Sequence, residues 1–422
     1  MSSPHQVCIT GTGVISPLGA SVPGIWERLL AGCSGIGLLR RFDASRFSCR
    51  LAAEIADADL DFADGPYAHE MKRMDRFVQY AVTAAKDAVS SSGLLPEGTC
   101  PPDGGVFIGV GTGGLPHLEA GVLLQEARGP RRVSPYLIPS LISNMAASMI
   151  ALHYGFRGPQ YTIAGACASG NQAIGQAVHA IRAGNLKWAL AGGTEAAITP
   201  IGYSGLQAMH ALSSSSEARA TPRPFDQRCD GMVVGEGAAV FVLEERAHAE
   251  ARGATIHAEL SGYATCTGST QITLQAADDL TRCMTLTLRD AGLDAADIDC
   301  VYAQAAGLVK GDECELEALQ NVFARQAARP AVTSIKGHVG HTFAASGPLN
   351  LMASIETLRT RRIPPTLNLD TVAPQYADVD VVRETRDRDV RHCLINSFGF
   401  GGVNASLIVS RSQREQASRQ SS

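Results

Sequence analysis

Three short segments of this chain hold residues whose types and spacing could do chemistry. In YTIAGACASGNQAI (161–174), an apolar run meets a turn of small residues with Cys167 near its apex, and a helix opens at Ser169 and Gly170. A thiol at a helix N-terminus sits in the positive end of the macrodipole, which favours the nucleophilic thiolate. SIKGHVGHTFAASG (334–347) offers Lys336, His338 and His341 in a glycine-containing loop ahead of another helix. Such a loop can supply the base or hydrogen-bond donor that a thiol nucleophile needs. NSFGFGGVN (396–404) is a glycine-dense turn whose backbone N–H groups could hold an oxyanion. A fourth segment, VYAQAAGLVKGDECE (301–315), reads as a strand end and loop with Gln304 as its only uncharged polar side chain apart from tyrosine and cysteine.

These segments need a scaffold, and strand-like and helical patterns alternate along the whole chain. QVCITGTGV, GGVFIGVGTGG, WALAGGTEAA and AAVFVLEER read as buried strands. FVQYAVTAAKDAVSSSGL, YLIPSLISNMAASMIALHYG and SGNQAIGQAVHAIRAG read as helices closed by glycine. Near-continuous apolar strands alternating with helices predict parallel sheets covered on both faces. From Ile256 onward the order of elements roughly repeats that of residues 5–250. The expected organisation is an N-terminal half over 1–255, a C-terminal half over 256–411 and a polar tail over 412–422.

At 422 residues with 45% hydrophobic and 18% charged residues, the composition is that of a globular protein large enough for two cores. A net charge of −5 gives no reason to expect non-specific nucleic-acid binding. The eleven cysteines show no C-x-x-C pairs, which argues against a zinc ribbon or disulfide scaffold and for a reducing compartment. No stretch of 18 uncharged apolar residues is present, and MSSPHQVCITGTG lacks the basic and apolar regions of a signal peptide. A cytoplasmic protein without metal or cofactor is the expectation.

Taken together, ITGTGVISPLG, GACASG, RPFDQRCDGMVVGEGAAVFVLEE, SIKGHVGHTFAASG and NSFGFGGVN make the chain resemble the β-ketoacyl-acyl-carrier-protein synthases of the thiolase superfamily, of the synthase II and polyketide ketosynthase type. The resemblance implies a five-layer α-β-α-β-α thiolase-like α/β fold of two similar halves, and a homodimer or a heterodimer with another ketosynthase-like subunit. It implies that Cys167 accepts an acyl group from acyl carrier protein. His341 would donate a hydrogen bond to the thioester carbonyl of a malonyl extender, with Lys336 and Glu315 as the accompanying lysine and acid. The backbone N–H groups of Cys167 and Phe400 would form the oxyanion hole, Phe400 would gate the malonyl pocket, and Asn404 would support the loop. A plainer reading makes Lys336 and Glu315 an ion pair that orients the loop. Lys72, Arg73, Arg76, Arg131 and Arg132 fall where relatives dock the carrier protein, and a local basic patch suits an acidic partner.

The chain departs from the family in two places. A second catalytic histidine, in a motif resembling N-A-H-G-T, aligns with Gln304. Glutamine donates a hydrogen bond but carries no charge and moves no proton; losing one such donor costs on the order of 3 kcal/mol, roughly 10²-fold in rate. GSTQITLQ (268–275) replaces a gating loop resembling D-A-Y-H-M-T-S-P. The leading expectation is therefore decarboxylative Claisen condensation in specialised fatty-acid or polyketide biosynthesis. A non-elongating acyltransferase or cyclase is the alternative, and a chain-length-factor-like partner subunit a third, against which the retained Cys167 argues.

Overall fold

The computed structural model describes residues 5–62, 66–95, 104–268, 271–323 and 329–412. The polar tail from 413 and residues 269–270 of the expected gating loop lie outside the described residues. Ten strands carry the fold: β1 (Val7–Ile15), β2 (Gly105–Val110), β3 (Gln160–Ile163), β4 (Trp188–Glu195), β5 (Gly237–Glu245), β6 (Ala258–Thr267), β7 (Cys300–Tyr302), β8 (Ala331–Thr333), β9 (His392–Gly399) and β10 (Val403–Ser410). Their lateral order is β8-β7-β9-β10-β6-β1-β5-β4-β2-β3. Reading outward from the centre, strands β1 to β5 and strands β6 to β10 follow the same order, and the two sets meet through two residue pairs, Cys8↔Glu259 and Ile9↔Ala258.

Six helices cover these sheets: α1 (Arg76–Ser92), α2 (Met145–Tyr154), α3 (Ser169–Arg182), α4 (Ala277–Ala291), α5 (Val309–Phe323) and α6 (Ser346–Thr360). Three apolar clusters show how they stack. One joins α1 and α2 to the outer face of the first sheet, and another joins α4 and α5 to the outer face of the second. The largest lies between the sheets and includes Ile174 and Ile181 of α3 with Leu349 and Ile355 of α6. The result is five layers, helix-sheet-helix-sheet-helix. Helix α6 sits in the middle layer with all but its last two residues buried, which explains why apolar and small residues occur all round it.

Two sequence expectations need correction. The sheets are mixed: β2 runs parallel to β3 and β4, but β5 is antiparallel to both β4 and β1, and β10 to both β9 and β6. Every residue of β5 is buried; a continuous apolar run reports burial on two faces, not strand direction. The helix expected over 136–155 is two helices, Leu137–Leu141 and α2, separated by an extended Ile142 (ψ 133°). The Ser143-Asn144 pair that follows favours caps and turns over helix interior, and Asn144 bonds the Ser148 hydroxyl at 3.2 Å.

The middle helices start alike. A single 3₁₀ turn, Ala166–Ala168, leads into α3, and another, Phe343–Ala345, leads into α6. Ala166 (φ +48°) and Phe343 (φ +44°) are both in the left-handed region, a strained conformation for residues with a side chain that is held only when the surroundings over-determine it. Ser169 accepts from the Gly165 N–H at 2.8 Å, and Ser346 from the Thr342 N–H at 3.2 Å, each four residues back. A Cβ on Gly170 would stand 2.3 Å from the Ala344 carbonyl, so the two turns can touch only because that residue is glycine.

Among the described residues no helix is long and apolar enough to cross a membrane, and no group of three or more His, Cys, Asp or Glu could hold a metal ion. The ten described cysteines are free.

Candidate active site

The repeated turns bring Cys167 and His341 together. Cys167 Sγ lies 3.1 Å from His341 Nε2, and both residues are buried. Behind the ring, His341 Nδ1 meets the Ser346 hydroxyl at 3.1 Å. The pair lines a cavity of about 510 Å³ shared with Gln304, Phe398, Phe400 and Phe343.

Electrostatics at this pair differ from the expectation of a pre-formed thiolate. Burial pushes the Cys167 thiol up to about 12, and the carboxylate of Glu195 adds to it, against the opposing charge of Lys336. Burial, reinforced by Lys336, pushes His341 down to about 3. Both groups are therefore neutral at rest. The helix N-terminus offers about 0.3–1 kcal/mol to a thiolate, whereas full desolvation moves a pKa by several units; desolvation wins.

Lys336 is 1% exposed, and its Nζ makes no hydrogen bond. Burial pulls it down to about 8, with Glu315 the largest opposing influence. The Lys336–Glu315 ion pair of the plainer reading does not form. Glu315 instead accepts from the Gln304 N–H at 3.0 Å, the Ala305 N–H at 2.8 Å and Asn396 Nδ2 at 3.0 Å. It pins the Gln304 loop directly and acts on Lys336 only through space.

Gln304 follows β7 and reaches the cavity, where its Oε1 has no hydrogen-bond partner. Phe400 begins a short 3₁₀ turn between β9 and β10. The preceding Gly399 lies against the nucleophile: a Cβ there would sit 3.0 Å from the Cys167 amide nitrogen. The replaced loop is tied to this turn, since Gly401 N donates to Ile272 O at 2.7 Å, Gly268 N to Gly402 O at 2.6 Å and Gln275 Nε2 to Gly399 O at 3.0 Å. Asn404 supports the turn from β10, donating to Gly402 O at 3.3 Å, and does not line the cavity. His338 is taken up structurally, between the carbonyls of Cys33 and Pro365.

Two buried carboxylates escaped sequence reasoning. Glu195, at the end of β4, accepts from Gly111 N, Thr112 N and the Thr112 hydroxyl at 2.7–3.1 Å; burial nonetheless raises it to about 7. Asp312 gathers the amides of Phe225, Ala306 and Gly307 at 2.9–3.1 Å and is likewise raised to about 7 by burial. The signals were an acid closing the apolar run WALAGGTE and an acid three residues before Glu315.

The basic residues divide. Lys72, Arg73, Arg131 and Arg132 are exposed, and Arg73 lies 4.4 Å over the Tyr136 ring, next to the 130–141 segment. Arg76 is half-buried and pairs with the exposed Asp57 at 2.6 Å.

Comparison with known proteins agrees with this architecture. Residues 5–249 match the β-ketoacyl synthase N-terminal domain and residues 257–370 the β-ketoacyl synthase C-terminal domain. The chain is 39% identical over 415 residues to the 3-oxoacyl-[acyl-carrier-protein] synthase 2 of Coxiella burnetii, covering 96% of this chain and 99% of the relative. Its fold matches the ishigamide ketosynthase/chain length factor with a TM-score of 0.90 at 31% identity, over 97% of this chain and all of that one. It also matches a chain of a type II polyketide synthase complex, acyl carrier protein with its ketosynthase bound to the hexaketide, with a TM-score of 0.88 at 27% identity over 97% and 100% of the two chains. The chain belongs to the β-ketoacyl synthase family and is an acyltransferase of the 3-oxoacyl-acyl-carrier-protein synthase type.

Proposed function

We propose that the protein takes an acyl group from acyl carrier protein onto Cys167 and joins it, by decarboxylative Claisen condensation, to a malonyl thioester in specialised fatty-acid or polyketide biosynthesis. The observation that carries this reading is the Cys167 thiol and the His341 imidazole 3.1 Å apart at the wall of a 510 Å³ cavity. A neutral His341 can take the thiol proton through Nε2 as Sγ attacks the acyl carbonyl, then return it to the departing carrier thiolate. The amides of Cys167 and Phe400 are the candidate donors to the oxyanion. In the second half-reaction, an Nε2–H on His341 and the Gln304 amide would donate to the malonyl thioester carbonyl as carbon dioxide leaves. The resulting enolate carbon attacks the acyl-Cys167 carbonyl and expels the thiolate, which is reprotonated.

A second reading has one observation in its favour. Gln304 cannot carry charge, and its Oε1 is unpartnered beside the cavity, so stabilisation of the developing enolate is weaker and acyl transfer or cyclisation without elongation would survive. Exposed Lys72, Arg73, Arg131 and Arg132 support an acidic carrier protein as the donor in both readings. Incubation with acyl-carrier and malonyl-carrier protein, followed by intact mass and product analysis, separates them. A ketoacyl product with carbon dioxide release supports condensation; a stable Cys167 adduct without either supports transfer alone.

A further inference from the structure

Two cysteines remote from the nucleophile in sequence touch each other where α4 lies on β6. Cys266, near the end of β6, is partly exposed, and Cys283, in the middle of α4, is buried. The contact between helix and strand is a short ladder. At its first step a Cβ on Gly262 would stand 2.7 Å from the Thr287 carbonyl, so the helix comes close where the strand has no side chain. At the next, Cys283 Sγ lies 3.8 Å from the Ala264 carbonyl and 3.6 Å from the Ser406 hydroxyl. At the third, Cys266 Sγ lies 3.7 Å from the Asp279 carbonyl. Helix and strand therefore run in opposite directions, and the two thiols occupy neighbouring steps. A helical side chain leans toward its helix N-terminus, which carries the Cys283 sulfur toward Asp279 and so toward Cys266. The two thiols hydrogen-bond each other. That bond lowers the acidity constant of Cys266 and raises that of Cys283, so Cys266 ionises first and is the better nucleophile toward an oxidant.

A second pair shows what is particular here. Cys300 and Cys393 stand in register on the parallel strands β7 and β9, but both are 0% exposed. Those two thiols are neighbours sealed in the core; Cys266 and Cys283 are neighbours with one sulfur open to a small oxidant.

We propose that Cys266 and Cys283 form a peroxide-sensitive dithiol that closes reversibly to a disulfide, with Cys266 the attacking sulfur and Cys283 the resolving one. Cys266 gives up its proton and its sulfur attacks one oxygen of hydrogen peroxide. The O–O bond breaks, Cys266 becomes a sulfenic acid, and the departing hydroxide takes up the proton as water. The Cys283 sulfur then attacks the Cys266 sulfur, the S–O bond breaks, and the second hydroxide leaves with the Cys283 proton as water. The thiols together lose two electrons and peroxide gains them. In a reducing compartment such a bridge is transient, because thiol reductants reopen it.

Peptide mass decides the matter. Hydrogen peroxide is added to the folded full chain, free thiols are capped with N-ethylmaleimide in denaturant, and unreduced tryptic peptides are weighed. Trypsin cuts between Arg282 and Cys283, so the two cysteines fall in separate peptides. The expected product is one linked pair, lighter by two hydrogens than the two thiol peptides together, and dithiothreitol should release it. Cys266→Ser should abolish the link and leave Cys283 free to be capped. Cys283→Ser should stop at the sulfenic acid, which dimedone captures on the Cys266 peptide. If both cysteines are capped in the wild type at a peroxide dose that already oxidises the exposed Cys33, the proposal is overturned. A Cys300–Cys393 link in equal yield would mean that unfolding had exposed the thiols, and would overturn it as well.

Discussion

Cys167 and His341 are 174 residues apart in sequence and 3.1 Å apart in space, and burial displaces their acidities in opposite directions, to about 12 and about 3. The site thus stores no thiolate–imidazolium pair. In the proposed reaction the thiolate forms as substrate arrives, with His341 as the proton acceptor rather than a resting counter-ion.

That arrangement has a stability consequence at both ends of the pH scale. His341 titrates near 6.5 when unfolded and near 3 when folded, so below about pH 6.5 the unfolded chain binds a proton that the folded one refuses. Stability is fully present above that value and is lost as pH falls toward 3, at up to about 1.4 kcal/mol per pH unit for this one group. Cys167 gives the mirror case: ionisation near 9 unfolded against about 12 folded, so its stability is present below pH 9 and lost above it. Denaturant midpoints measured across pH should fall on both sides. His341→Gln should flatten the acid limb in part, because buried His338 is displaced in the same direction.

Gln304→His tests the uncharged position beside the cavity. If weak enolate stabilisation limits the reaction, malonyl decarboxylation should rise, by an amount on the order of 10²-fold at most, as measured by carbon dioxide release from malonyl-carrier protein. No change would move attention to the 268–275 loop, whose bonds to Gly399 and Gly401 set the Phe400 turn.

The proposed docking surface makes a charge prediction. Lys72→Glu, Arg73→Glu, Arg131→Glu and Arg132→Glu combined should raise KM for carrier protein by roughly tenfold or more at low salt with kcat little changed, and the effect should shrink as salt rises. Arg76→Ala should leave KM alone. It gives up an ion pair with the exposed Asp57, which is 76% accessible, and so costs no more than about 1 kcal/mol of stability in denaturation.

Much of this site was legible because its chemistry sits in short contiguous motifs. Cys167 announces itself by the strand-turn-helix around it, and His341 by a glycine-flanked loop before a helix. The repeat of A-C-A-S-G in F-A-A-S-G also stood in the sequence, and the structure gives it meaning as two matching turns that touch at Gly170 and Ala344. What stayed hidden depends on distant partners. Nothing local says that Glu315 bonds the amides beside Gln304 rather than Lys336, that Asp57 holds Arg76, or that Glu195 collects donors from residues 111 and 112. Strand direction was misread for the same reason: burial pattern records what covers a strand, not which way its neighbour runs.

The central claim is that Cys167, served by His341, carries the acyl group. Intact-mass analysis after incubation with acyl-carrier protein tests it most directly. The account predicts one acyl adduct mapping to the Cys167 peptide in the wild-type protein, none in Cys167→Ala, and slow formation in His341→Ala. Absence of any adduct in the wild type, or an adduct that persists in Cys167→Ala, would contradict it.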